Sequence, residues 1–149
     1  MTTRPRRTSR WTTEYTATTT LRREAVWTAL RELHCGRLTY PGADRFVLDG
    51  PFAIGSKIAV TPEGQDEMTS TIVELVENER YADLTEFGGL SLLFRHTLES
   101  IDEGTCVTHR LEISGDDSDV VGPELGPQIS GDFDSSMAAL FEQAAQFVT

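Results

Sequence analysis

Residues 66–114 hold four stretches in which apolar and polar side chains alternate: "DEMTSTIVELVE" (66–77), "RYADLTEF" (80–87), "LSLLFRHTLES" (90–100) and "TCVTHRLEIS" (105–114). Alternation with a period of two marks a half-buried strand. The links between them are "NE", "GG" and "DEG". Links this short join only antiparallel neighbours, because a parallel crossover needs a dozen or more residues. This part of the chain is therefore committed to an antiparallel meander, and the rest must fold around it.

The flanking segments supply what a meander needs to bury its apolar face. "TTEYTATTT" (12–20) reads as a first strand, rich in Thr with Tyr15 among them. In "RREAVWTALREL" (22–33) the period changes, and Ala25, Val26, Ala29, Leu30 and Leu33 form a helical stripe beside Trp27. Residues 34–44 contain Gly36, Pro41 and Gly42 and read as loop, while "RFVLDG" (45–50) and "GSKIAVTP" (55–62) read as two short strands. Towards the C-terminus, Phe133, Met137, Leu140, Phe141, Ala144 and Val148 recur at helical spacing after Pro123 and Pro127. A proline is tolerated in a helix's first turn but not inside it, so the main helix is expected over about 127–147, with a short helical piece after Ser118. The expectation is an α+β protein, a seven-stranded curved antiparallel sheet wrapped around a long C-terminal helix.

Hairpin geometry then fixes which side chains share the inner face. A two-residue turn at 88–89 sets Asp83 opposite Phe94 and Tyr81 opposite His96. A two-residue turn at 78–79 sets Glu74 opposite Asp83 and Ile72 opposite Thr85. A turn centred on Glu103–Gly104 sets Leu98 opposite His109 and His96 opposite Leu111, leaving the two histidines diagonal neighbours. The inner face would then carry Ile72, Glu74, Tyr81, Asp83, Thr85, Phe94, His96, Leu98, His109 and Leu111. Val73, Leu75, Ala82 and Leu84 would face out. Opposed inward carboxylates and two inward imidazoles would be costly in a dry core and are tolerated in a wet, ligand-sized cavity between sheet and helix.

Composition narrows the partners. The formal net charge is −11, and four of the 13 basic residues (Arg4, Arg6, Arg7 and Arg10) lie in the first ten positions, leaving −15 over residues 11–149. A body this acidic repels phosphate backbones, so no nucleic-acid partner is expected. Residues 1–11 read as a disordered basic arm and 12–149 as a single domain. There is neither a membrane-length apolar run nor a signal-peptide core, so a cytoplasmic protein is expected. Cys35 and Cys106 lack CxxC spacing and read as free thiols.

The segments "EAVWTAL" (24–30), "LDGPFAIGSKI" (48–58), "TIVELVENERY" (71–81) and "HTLESIDEGTCVTHRLEISG" (96–115), followed by the terminal helix, give the chain a resemblance to the START-like, helix-grip superfamily. Within it the chain resembles the polyketide cyclase/dehydrase and lipid-transport family. The likeness spans residues 12 to 148. It departs at Arg22, where relatives have a proline, and at "LTYPGADRF" (38–46), where they carry an aromatic-rich loop. The resemblance implies a sheet gripping a long helix around an apolar cavity, and ligands such as lipids, polyketides, sterols, quinones or hormones. It carries no universal catalytic signature.

Three functions are weighed on these residues. In the first, a hydrophobic lipid- or polyketide-like molecule sits between sheet and helix. The lining would comprise Ile72, Glu74, Tyr81, Asp83, Thr85, Phe94, His96, Leu98, His109 and Leu111, with Phe133, Met137 and Phe141 from the helix. In the second, the cavity is that of a polyketide aromatase/cyclase. His96 or His109 would be its general acid/base, because an imidazole titrates near neutrality, and Tyr81 would donate to a developing enolate. In the third, the outward apolar residues form a protein-interaction surface, such as that of a homodimer. No cofactor or metal is implied, since the histidines lie in no ligand-spaced motif.

Overall fold

The computed structural model describes residues 10–148. Its strands are β1 (Arg10–Thr19), β2 (Arg45–Asp49), β3 (Lys57–Thr61), β4 (Met68–Val76), β5 (Arg80–Phe87), β6 (Leu90–Ile101) and β7 (Gly104–Gly115). The helices are α1 (Arg23–His34), α2 (Ser118–Ser130) and α3 (Phe133–Ala144), and a 3₁₀ turn (Ala145–Phe147) follows α3. All seven strands form one antiparallel sheet in the order β1-β7-β6-β5-β4-β3-β2. The meander thus holds as expected, with the first strand returning to pair with the last. Strand β1 starts at Arg10, so Arg10 and Trp11 of the expected arm are strand residues. The remainder of that arm lies outside the described residues.

Helix α1 buries the stripe Ala25, Val26, Ala29, Leu30 and Leu33, and extends it by one residue to His34. Glu24 lies in its first turn, where a negative charge suits the helix dipole. Gly36 follows at φ +78°, and a Cβ there would overlap the Phe46 carbonyl oxygen, so the exit towards β2 requires glycine. At the β5–β6 turn, Gly88 and Gly89 both have positive φ, as a tight two-residue hairpin demands.

The C-terminal helical region departs from expectation. The helical piece expected after Ser118 is a full helix that runs through both prolines, and the main helix expected from about 127 is broken at Gly131–Asp132 before α3. Pro123 and Pro127 are exposed, so water can solvate the carbonyls left without an N–H partner. Gly122 and Gly126, one turn apart, lie against the Trp11 side chain, and a Cβ on either would overlap it. That close approach seats α2 on β1.

Two apolar clusters hold the layers together. One joins Val26, Trp27 and Leu30 of α1 to Ile58, Ile72, Tyr81, Leu98 and Val107 of the sheet and to Met137, Leu140 and Ala144 of α3. The other joins Leu90, Leu92, Leu111 and Ile113 to Phe133, with Trp11 and the apolar side of α2 packed around it. Each fully buried aliphatic side chain contributes about 1.5–3 kcal/mol. The space between the clusters is where the site lies.

Candidate functional site

Register decides which polar groups reach the interior. Tyr81 opposes His96 and Asp83 opposes Phe94, as expected. The β6–β7 turn is centred one residue earlier than expected, so His96 opposes His109 directly rather than diagonally. The shift between partners is two residues, which preserves parity, and both rings stay inward. They stack with centroids 3.9 Å apart, and His109 stacks in turn on Phe133 of α3, also at 3.9 Å.

The β4–β5 hairpin corrects the expectation for Glu74. Its loop holds three residues rather than two: Val76 pairs with Arg80, Asn78 takes φ +65°, and the Glu79 amide donates to the Val76 carbonyl at 2.9 Å. A β-bulge between Ile72 and Glu74 then shifts the register again, setting Ile72 opposite Asp83 and Glu74 opposite Ala82. Glu74 therefore does not face Asp83. It pairs with Arg80 at 3.2 Å and Arg95 at 3.4 Å on the other side of the sheet. The same shift turns Leu75 against the α1–α3 core, so it leaves the expected outward set. Ala82 keeps its outward place opposite Glu74 and Arg95 but is fully buried, while Val73 is exposed and Leu84 half-buried.

The cavity has a volume of about 330 Å³, within the range of small-molecule sites. Of the expected lining, Asp83, Thr85, Phe94, His96, His109, Phe133 and Met137 line it together. Ile72, Leu98 and Leu111 are packed into the apolar clusters instead, and Phe141 lies half-buried against the first. Tyr81 is fully buried, stacked parallel to Phe52 with centroids 5.7 Å apart. Its hydroxyl donates to Asp83 Oδ2 at 2.8 Å, so it holds a carboxyl rather than standing free for an enolate.

Several lining residues were not anticipated. His34 closes α1 and meets Tyr81 and His96 at centroid distances of 4.4 and 5.6 Å. Its Nδ1–H donates to the Leu30 carbonyl at 2.7 Å, which leaves Nε2 as the lone-pair nitrogen. The spacing Val26, Leu30, His34 continues the helical stripe and was the available signal. Ser70 and Thr85 share a hydroxyl hydrogen bond on the cavity wall. Tyr40, Asp44, Asp132 and Ser136 also line the cavity, the two aspartates being exposed at its mouth.

Burial reverses the expected protonation chemistry. It pushes His34 down to about 4. It likewise pushes His109 down to about 3, with His34 adding to the effect. His96 is held well below the ordinary range by burial, then by His109 and His34. All three rings are neutral at physiological pH. Burial raises Asp83 to about 6 against the opposing Tyr81 hydrogen bond, making it the lining group that titrates nearest neutrality. Among the described residues, none hydrogen-bonds the buried His96 Nδ1 or His109 Nε2, a costly state unless something else meets them. Among the described residues, no three His, Cys, Asp or Glu are grouped to hold a metal ion.

No protein-family model matches the sequence, and no curated protein is similar to it. Solved structures are. A point mutant of norcoclaurine synthase from Thalictrum flavum, in complex with a transition-state analogue, aligns over 96% of this chain and 99% of that one, with TM-score 0.74 and 12% identity. The Staphylococcus aureus protein SA2116, of unknown function, aligns over 94% and 96% with TM-score 0.71 and 10% identity. Ara h 8.0201 aligns over 90% and 99% with TM-score 0.64 and 17% identity. The chain shares the fold of these structures, a curved seven-stranded antiparallel sheet gripping C-terminal helices.

Proposed function

We propose that the protein binds a hydrophobic small molecule, lipid- or polyketide-like, in the cavity between sheet and C-terminal helices. The observation that carries the reading is the lining itself. Phe46, Phe94, Phe133, Met137 and Leu140 supply apolar surface, while two buried imidazole nitrogens have no protein partner. A solid core would leave those nitrogens unmet at roughly 1–3 kcal/mol each, and a guest with polar groups would satisfy them. The norcoclaurine synthase point mutant, which shares the fold, forms a complex with a transition-state analogue, and this supports a small-molecule reading. Native mass spectrometry of freshly purified protein tests the reading. A mass increment of a small organic molecule, lost on denaturation, is the expected result; bare protein that also takes up no added apolar compound would contradict it.

A catalytic reading has one observation behind it, the Asp83–Tyr81 pair. A buried carboxyl that titrates near 6 can take a proton from carbon and give it back. In a polyketide-type dehydration, the Asp83 carboxylate would remove the proton beside a carbonyl and return it to the departing hydroxyl, releasing water as the C=C bond forms. The histidines, held neutral, would orient the chain. Asp83→Asn is expected to abolish such turnover, whereas turnover that survives it would exclude Asp83 as the base.

A further inference from the structure

The cavity carries charge of one sign. Asp83 sits in its wall at 5% exposure, and Asp44 and Asp132 stand at its mouth, where partial desolvation and then the nearby Asp132 charge raise the Asp44 carboxyl. Among the described residues, no lysine or arginine lines it. Arg80 and Arg95, the basic residues of β5 and β6, are engaged by Glu74 on the opposite side of the sheet. Acceptors stand among the remaining polar groups of the wall, beside the hydroxyls of Tyr40, Ser70 and Ser136 and the amides of Gln65 and Gln128. Asp83 has Tyr81 as its donor, His34 keeps a lone pair on Nε2, and His96, only 9% exposed, has a buried Nδ1 without a partner. Aromatic faces of Phe94 and Phe133 stand beside them.

From this juxtaposition we propose that the ligand is a cationic amphiphile. It would be an organic amine whose ammonium docks against Asp83 and whose apolar body lies along Phe94, Phe133, Met137 and Leu140. The inference rests on the cavity being a binding site and adds the charge of its guest. An ammonium is all donor, and the Asp83 carboxylate and the His34 Nε2 lone pair can accept from it. Its burial is tolerated where a carboxylate pairs with it, and ring faces attract it further. A carboxylate- or phosphate-bearing guest would instead meet three like charges with no cation to offset them.

Isothermal titration of the full-length protein with 4-phenylbutylamine, 4-phenylbutanol and 4-phenylbutyrate tests this. The three share one apolar body and differ in charge. The amine is expected to bind at least about tenfold more tightly than the carboxylate, with the alcohol between them. In Asp83→Asn the amine should lose its advantage over the alcohol, with circular dichroism checking that the variant is folded. Asp44→Asn combined with Asp132→Asn, both at exposed positions, should narrow the amine-to-carboxylate gap and gives a second comparison that spares the interior. A carboxylate bound as tightly as the amine, or an amine preference that survives all three substitutions, would overturn the inference and leave the cavity reading standing. Binding of none of the three would overturn both.

Discussion

At the scale of single residues, Glu74 and Asp83 show how position sets the energetics of one chemical group. Glu74 lies in a half-exposed pair with Arg80 and Arg95, and such pairs contribute little. Glu74→Gln is expected to cost less than about 1 kcal/mol in urea unfolding. His34 is a different case. Its ring is 4% exposed and touches Phe46, Tyr81 and His96. His34→Ala should cost roughly 2–4 kcal/mol by the same measurement, as other large-to-small core changes do. The inward placement of His96 and His109 was legible from alternation alone, since a two-residue register error preserves parity. The role of Asp83 was only half legible. Its inward face followed from the "GG" turn, but its titration near neutrality depends on burial and on Tyr81, which no spacing rule encodes.

At the scale of elements, the meander, α1 and the strand order were readable because short links and periodicity leave few alternatives. The β-bulge in β4 was not. "TIVELV" places apolar residues on both faces, so alternation reads equally well before and after a one-residue slip. The turn before β5 hides a similar ambiguity, resolved by Asn78 in the left-handed region. Asn78→Ala should destabilise by about 1 kcal/mol, whereas Asn78→Gly should be neutral or stabilising, read from chemical denaturation midpoints. The helical start after Ser118 is legible, but the continuity of α2 through Pro123 and Pro127 is not, because the packing of Gly122 and Gly126 on Trp11 decides it. Gly126→Ala is therefore expected to cost about 1–3 kcal/mol, and the cost should shrink when combined with Trp11→Leu. Equal costs in both backgrounds would mean that the Trp11 contact does not set the helix position.

At the scale of the whole molecule, the cavity couples stability to pH. In the folded state the three histidines are held neutral, with His34 near 4 and His109 near 3. The unfolded chain protonates them near the ordinary value of 6.5. Their contribution is full above that value and lost as pH falls through it. Asp83 works the other way, because its folded value near 6 lies above the unfolded one and the folded state takes up the proton first. Between about pH 6 and 5 the unfolded chain holds nearly three protons on these groups and the folded chain about one, so stability from them should fall by roughly 2–3 kcal/mol per pH unit. A melting temperature that stays flat across that window would mean the imidazoles are solvated, not buried. Bound ligand should oppose the loss by mass action.

All of this depends on the space between sheet and helices being open to a guest. The most direct measurement is fluorescence titration with the neutral probe N-phenyl-1-naphthylamine, comparing the native protein with Met137→Trp, which extends a ring from α3 into the cavity. Saturable one-to-one binding by the native protein, lost in the filled variant while circular dichroism is unchanged, is the expected result. Absence of saturable binding, or binding that the filled variant retains, would contradict it.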